Sequence, residues 1–305
     1  MNFVPLFKVD SLFNSVNQGN GGIGMPFWAI LIILFISAAI IFCIYEWYEH
    51  AFPKKQCYNI EGQSVSVKLL VLSDLHCNPF LLKNKAFLER LRNEQPDGIC
   101  IAGDVINKYD GEKNFAVLPF LQELSQIAPV YYAFGNHESK WRTVAPEQFA
   151  SYKEQVLKLG IHFSDNESAY LQKGNKTIQI IGFTLPRELF QKGKFPQLQA
   201  EMLNPVRSQL HTKADYTILL AHSPEYIELY EQLPVQLVCS GHLHGGLVRL
   251  PFLGGIVSPQ LRLPVHTKGL YQRKKMHLLV SAGLGSHTIW MRIFNRVEYI
   301  LLTIR

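Results

Sequence analysis

Charge is scarce in this chain of 305 residues. Asp, Glu, Lys and Arg make up only 18% of it, and the net charge of +6 is too small to mark a nucleic-acid binder. A protein that tracks single strands interleaves aromatic residues with a dense basic groove, and no such stretch is present. Cysteine is equally thin. The five, at 43, 57, 77, 100 and 239, form no Cys-x-x-Cys pair, which argues against a disulfide framework and suits a reducing compartment. Internal repeats and low-complexity tracts are missing as well. Apolar residues nevertheless reach 48%, enough for the sizeable core of one large α/β domain with an appendage.

Long apolar runs are also missing, with one exception. Residues 1–24 are polar and glycine-rich and read as a flexible tail. Pro26 to Tyr45 then runs without a charge, and its twenty residues match a hydrocarbon core of ~30 Å at about 1.5 Å per residue. Trp28 lies near one end and Tyr45, Trp47 and Tyr48 at the other, as an aromatic belt would. Only Lys8 precedes the run, whereas a signal peptide carries basic residues just before it. Residues 25–48 are therefore expected to form a transmembrane anchor. Residues 49–66, with Pro53 and Gly62, read as a linker to a domain spanning 67–305. Lys54 and Lys55 follow the span closely and place that domain in the cytoplasm by the positive-inside rule.

The domain opens on Val67-Lys-Leu-Leu-Val-Leu, a buried strand that stops at Ser73 and is followed by Asp74-Leu-His76. Asn84 to Gln95 has helical spacing, with Asn84 as its cap. A strand over Asp97–Ala102 ends at Gly103-Asp104. Asn114 to Ile127 is helical, and a strand over Pro129–Phe134 ends at Gly135-Asn136-His137-Glu138. Pro146 to Leu159 is a helix stopped by Gly160. A hairpin turns at Gly174-Asn175. The strand Tyr216–Ala221 ends at His222, and Val235–Cys239 runs into Gly241-His242-Leu243-His244-Gly245-Gly246. Strands over Met276–Ala282 and Val297–Ile304 close a chain whose strand–helix alternation predicts a layered α/β fold.

Five strands thus end in Asp, His or Asn, at the carboxyl ends where open α/β sheets bind ligands. Mixed carboxylate and imidazole donors suit Mn, Fe or Zn and not a calcium cage. Asp104, in the middle of the set, is the natural bridge between two ions. Gly103, Gly135 and Gly241 allow the turns that bring these side chains together.

The ordered motifs D-x-H, G-D, G-N-H-E, an isolated His and G-H-x-H resemble those of the calcineurin-like metallophosphoesterases over about residues 67–246. The Gly-Gly extension and the amino-terminal apolar segment are most similar to a bacterial membrane-associated branch. That branch includes YkuE/YaeI-like phosphodiesterases and a type of UDP-2,3-diacylglucosamine diphosphatase. Many of its members have Gln where this chain has Leu247. The resemblance implies a four-layer α/β/β/α sandwich and hydrolysis of a phosphodiester or diphosphate bond with two divalent metal ions. It puts Asp74, His76, Asp104 and His244 on one ion and Asp104, Asn136, His222 and His242 on the other. It leaves His137 off the metals, facing the substrate as proton donor or charge stabiliser for the leaving oxygen.

A non-catalytic scaffold of the same fold would have lost ligands, and all seven positions are intact. Glu138 reads as an outer partner for a ligating imidazole. Cys77 reads as a small buried thiol, and His50, His162, His211, His266, His277 and His287 as surface or satisfied core histidines. Apolar residues beside cations in 184–214 and 251–267 (Phe190, Phe195, Met202, Leu203, Phe252 and Leu253 with Lys192, Lys194, Arg207 and Arg262) suggest an amphiphilic phosphate substrate. Arg249 is a further candidate for substrate phosphate. The expected partners are thus a phosphate-bearing, lipid-like substrate and a membrane, and no nucleic acid.

Overall fold

The computed structural model describes residues 25–190, 199–211, 213–246, 248–250, 252, 254–255, 265–286 and 291–305. The tail 1–24 lies outside them. Helix α1, Phe27–Ala51, is continuous. Residues up to Ile44 belong to one compact unit and residues from Tyr45 to a second. In the first unit, side chains such as Leu34, Phe35 and Ile41 are exposed on every face. That exposure excludes a buried core helix. By length and composition α1 is able to cross a membrane.

The second unit contains two six-stranded sheets. The first has the order β1-β14-β2-β3-β4-β5, with β1 Lys54–Ile60, β2 Val67–Leu72, β3 Gly98–Ala102, β4 Val130–Ala133, β5 His162–Ser164 and β14 Glu298–Ile304. Strands β2 to β5 pair in parallel, while β14 runs antiparallel to β2 and parallel to β1. The second sheet has the order β12-β13-β9-β8-β7-β6, with β6 Ser168–Lys173, β7 Lys176–Phe183, β8 Tyr216–Ala221, β9 Leu237–Ser240, β12 Gly269–Arg273 and β13 Met276–Val280. A two-residue pair, β10 Arg249–Leu250 and β11 Gly254–Gly255, stands apart. The expected hairpin is present. Lys173 pairs with Lys176 around Gly174, whose φ of 60° suits the first central position of a type II′ turn.

Strand periodicity separates three apolar clusters. Leu69 and Val71 of β2 point between the sheets with Cys100, Tyr131, Ile180, Ile218, Cys239 and Ile300. Leu70 and Leu72, one residue out of phase, face the opposite way. There they meet helices α2 Lys85–Asn93, α3 Leu118–Ser125, α4 Asn136–Val144 and α5 Pro146–Lys158 through Phe87, Leu91, Phe120, Leu121, Trp141 and Tyr152. The far face of the second sheet is covered by single-turn helical segments carrying Leu189, Leu203, Val206, Ile227 and Tyr230. Helices, sheet, sheet and helices make the four-layer α/β/β/α sandwich.

Residues 49–66 are not the expected linker. Glu49, His50 and Ala51 are buried helix, and Lys54–Ile60 is a full strand on the edge of the first sheet. Its alternation was hidden because an edge strand buries little of either face: only Ile60 is fully buried. Asn84 caps α2 as expected, its side chain accepting the Phe87 N–H at 3.0 Å. Helix α4 was not legible, because it begins inside the Gly-Asn-His-Glu motif itself. The stretch Asn114–Ile127 divides into a 3₁₀ segment, Gly111–Val117, and α3, since Pro119 cannot supply an N–H to a continuing helix.

Candidate metal centre

The loops that leave β2, β3, β4, β8 and β9 converge. Asp74, His76, Asp104, His222, His242 and His244 are all buried. Five of them pay a backbone cost for this: φ is 49° at Asp74, 47° at His76, 55° at Asp104, 70° at His242 and 49° at His244. Side chains other than glycine rarely hold such values unless the surroundings impose them, and they cluster at functional sites. Close approach is secured by glycine. A Cβ on Gly135 would collide with Asp104 Oδ1, and one on Gly241 with Asp74 Oδ2. Neither position needs a left-handed backbone; each needs the missing side chain.

Donor atoms fall into three groups, within each of which all lie within 4.8 Å of one another: Asp74, His76 and His244; Asp104, His222 and His242; and His76, Asp104 and His137. Asp104 is central. Its Oδ2 is 2.9 Å from His222 Nε2, 3.8 Å from His76 Nε2 and 3.9 Å from His137 Nε2. Asp74 Oδ1 lies 3.7 Å from His244 Nε2 and 3.8 Å from both His76 and His222 Nε2. The Asn136 Oδ1 atom is buried with no hydrogen-bond partner among the described residues. A buried orphan acceptor beside converging carboxylates and imidazoles fits a divalent cation.

The outer contacts orient each ring. His222 Nδ1 lies 2.6 Å from the Ala102 carbonyl, His244 Nδ1 3.1 Å from the Gly285 carbonyl and His76 Nδ1 3.1 Å from Asn107 Oδ1. An Nδ1–H donating to each oxygen turns Nε2 toward the cluster as the nitrogen able to ligate once it carries no proton. His137 is turned the other way. Its Nδ1 is 3.2 Å from the backbone N–H of Lys108, so it accepts, and the neutral ring carries its proton on Nε2. His137 therefore turns an N–H to the cluster where the other three turn the nitrogen that can ligate.

Burial opposes ionisation of Asp74 and Asp104, but the surrounding imidazoles outweigh it. His244, His76 and His222 hold the Asp74 carboxyl well below its usual range, and His222, His137 and His76 do the same for Asp104. For His222, burial is likewise overcome, by Asp104 and then Asp74, and its pKa is pushed up to about 10. Burial pushes the Cys77 thiol up to about 12, so it is no thiolate nucleophile.

Glu138 does not serve an imidazole. Its carboxylate accepts the backbone N–H groups of Asp104 at 2.9 Å, Val105 at 2.9 Å and Gly135 at 2.8 Å, and the Tyr132 hydroxyl at 2.6 Å. It fixes the loops that carry Asp104 and His137. Arg249 also has a structural task, donating to the Gly245 carbonyl at 2.6 Å and to Thr267 Oγ1 at 3.2 Å.

Leu203 is buried in the outer core and is not free to meet substrate, while Met202 is partly buried against that core. Phe190 sets its ring 5.1 Å from that of His242, and Phe252 is fully exposed. Lys192, Lys194, Phe195, Leu253, Arg262 and His287 lie outside the described residues. One feature the sequence did not single out is a cleft of about 580 Å³ beside His76 and His137, lined by Asn107, Lys108, Tyr109, Asp110 and Lys113. A basic pair after a metal-ligand motif was the available signal.

The family profile of calcineurin-like phosphoesterases matches residues 67–246, which contain every residue of the cluster. The chain is 29% identical to the uncharacterized metallophosphoesterase YkuE of Bacillus subtilis over 78% of its length and 79% of that protein. It is 27% identical to the phosphodiesterase YaeI of Escherichia coli, covering 72% and 75% respectively. It is 24% identical to the UDP-2,3-diacylglucosamine pyrophosphatase LpxG of Chlamydia muridarum, covering 74% and 79%. With a match over more than half of its length, centred on a buried Asp/His cluster, this chain belongs to the calcineurin-like phosphoesterase family and is a hydrolase.

Proposed function

We propose that the protein hydrolyses a phosphodiester or diphosphate bond at a centre of two divalent ions of the Mn, Fe or Zn type. Asp74, His76, Asp104 and His244 hold one ion, and Asp104, Asn136, His222 and His242 the other. The ions, when bound, neutralise phosphate oxygens and lower the pKa of water for in-line attack. The rest falls to the chain. Asp104 spans the two sets through Oδ2. Neutral His137 keeps Nε2–H pointed into the cluster and hydrogen-bonds the leaving oxygen through it, stabilising the charge that develops there. The single observation that carries this division is the reversed hydrogen bonding of His137 against His76, His222 and His244.

The substrate we infer is amphiphilic, with a UDP-linked acyl sugar as the leading example. Three features support this: an apolar helix able to cross a membrane, a lysine-lined cleft of a size that suits a small-molecule group larger than phosphate, and the similarity to the UDP-2,3-diacylglucosamine pyrophosphatase LpxG. In this reading Lys108 and Lys113, which line the cleft, meet the second phosphate, and exposed Phe252 meets an acyl chain. The domain lies on the cytoplasmic side in this reading. The test compares kcat/KM for acylated and deacylated UDP-sugar with the full chain in detergent. Phe252→Ala should lower only the acylated value, and Lys108→Ala both. Equal rates for the two substrates, unmoved by Phe252→Ala, would leave a phosphodiesterase for soluble substrates.

A further inference from the structure

Arg292 is fully buried, and its guanidinium is committed to one side of the cluster. Its Nη2 donates to the Gly285 carbonyl at 2.6 Å and the Ala282 carbonyl at 2.8 Å, its Nη1 to the Asn295 carbonyl at 3.1 Å and its Nε to Ser286 Oγ at 3.0 Å. The Gly285 oxygen is also the acceptor for His244 Nδ1, which lies 3.3 Å from Arg292 Nη2; both Nη2 hydrogens go to the two shorter carbonyl contacts, so Nδ1 keeps its own proton. Arg292 therefore holds the carbonyl that sets the tautomer and the rotation of His244. Asn295 holds the backbone of the same loop, its Nδ2 donating to the carbonyls of His244 at 2.6 Å and Gly246 at 2.5 Å.

What holds Arg292 and Asn295 is the end of α1. Glu46 Oε2 accepts the Arg292 N–H at 2.9 Å. Glu49 accepts the Asn295 N–H through Oε2 and the Val297 N–H through its carbonyl, each at 3.0 Å. Protons can be placed along the side-chain path without conflict. His50 Nδ1–H donates to the Glu46 carbonyl at 2.8 Å, so His50 Nε2 accepts from Ser286 O–H at 3.2 Å, and Ser286 Oγ accepts from Arg292 Nε–H. The path His50–Ser286–Arg292–Gly285–His244 is buried and every link has one donor and one acceptor. None of His50, Ser286, Arg292 and Asn295 falls within the matched family segment 67–246.

We propose that Arg292 is a positioning residue for the ion on His244, and that the last two turns of α1, Tyr45–Ala51, are a working part of the metal centre. The helix then does more than locate the domain: a disturbance of its carboxyl end is transmitted to one ion and not to the other. Outer contacts to a metal-ligating imidazole typically change metal affinity by about 10–100-fold when lost. The inference rests on the reading of His244 as a ligand.

The full chain in detergent is stripped with chelator and titrated with Mn²⁺, bound metal per chain being measured at equilibrium, and with Co²⁺, whose visible spectrum reports ligand geometry. His244→Ala tests the underlying reading and should lose one ion per chain. His50→Leu, Ser286→Ala and Arg292→Lys should each weaken one ion roughly 10-fold or more, leave the other unchanged and shift one component of the Co²⁺ spectrum. Val156→Ala, a core change in α5 remote from the path, should lower the melting temperature without moving either affinity. If His244→Ala keeps both ions, the ligand reading fails. If it loses one while Ser286→Ala and His50→Leu bind both as the unaltered chain does, the positioning role is wrong. Ser286→Ala removes one hydroxyl and keeps the question answerable should Arg292→Lys not fold. Equal weakening by Val156→Ala would reduce the effect to general stability and overturn the proposal.

Discussion

Glu138 and Asp104 hold each other's loops in place. Glu138 Oε2 accepts the Asp104 N–H at 2.9 Å, and Asp104 Oδ1 accepts the N–H of His137, the residue before Glu138, at 2.8 Å. The exchange locks the Gly-Asp turn after β3 to the first turn of α4. Glu138→Ala would leave three buried N–H groups and the Tyr132 hydroxyl without an acceptor, at about 1–3 kcal/mol each. A loss of at least ~3 kcal/mol in denaturant unfolding is expected, with weaker metal retention. Unchanged unfolding midpoint and slope would show that the carboxylate is dispensable.

His137→Ala should keep its metal and lose turnover by about 10²–10³-fold, the usual range for losing one hydrogen-bond donor to a developing oxyanion. Nitrophenolate needs little stabilisation on departure, so the loss should shrink for nitrophenyl esters. Measuring kcat on nitrophenyl and alkyl esters decides this. Equal losses on both would remove the leaving-group role.

Metal uptake should release protons. In the metal-free chain the nearby Asp104 and Asp74 carboxylates hold His222 protonated up to about pH 10, whereas a ligating imidazole must be neutral. Below that pH the proton competes with the ion, so apparent affinity should rise roughly tenfold per pH unit as pH increases, within the range where His222 alone titrates. Mixing apo chain with Mn²⁺ in weak buffer at pH 7.5 should acidify the solution. A pH-independent affinity between 6.5 and 9 would contradict it.

A chain starting at Tyr45 should fold, and one starting at Gln63 should not. The shorter one removes the helix end that binds Arg292, Asn295 and Val297, and β1, whose seven residues pair with β14 from Lys54↔Glu298 to Ile60↔Ile304. It leaves β14 as a bare apolar edge prone to aggregation. Circular dichroism melts and gel filtration of the two fragments test this. A monomeric fragment from residue 63 with a cooperative melt would refute it.

The Asp, Asn and His residues of the site and their order were legible in the sequence because each lies within a few residues of a strand that ends there. A buried apolar run, a glycine and an Asp or His are short-range signals, and Asp74, His76, Asp104, Asn136, His222, His242 and His244 all follow that rule. The four layers followed from the resemblance, and the alternation of Leu69 and Val71 with Leu70 and Leu72 explains how one strand serves two of them. The reversed ring of His137 and the true partners of Glu138 were not legible, because a tautomer depends on which atom of a distant loop comes within 3 Å. Nor were β1 and the helix end, whose partners in β14 and the loop around Arg292 lie more than 230 residues away along the chain. Local chemistry and hydrophobic period are written in neighbouring residues. Which loop seats His244, and which helix seats that loop, only tertiary packing decides, since any of the chain's polar side chains could offer the same hydrogen bonds until the fold selects one.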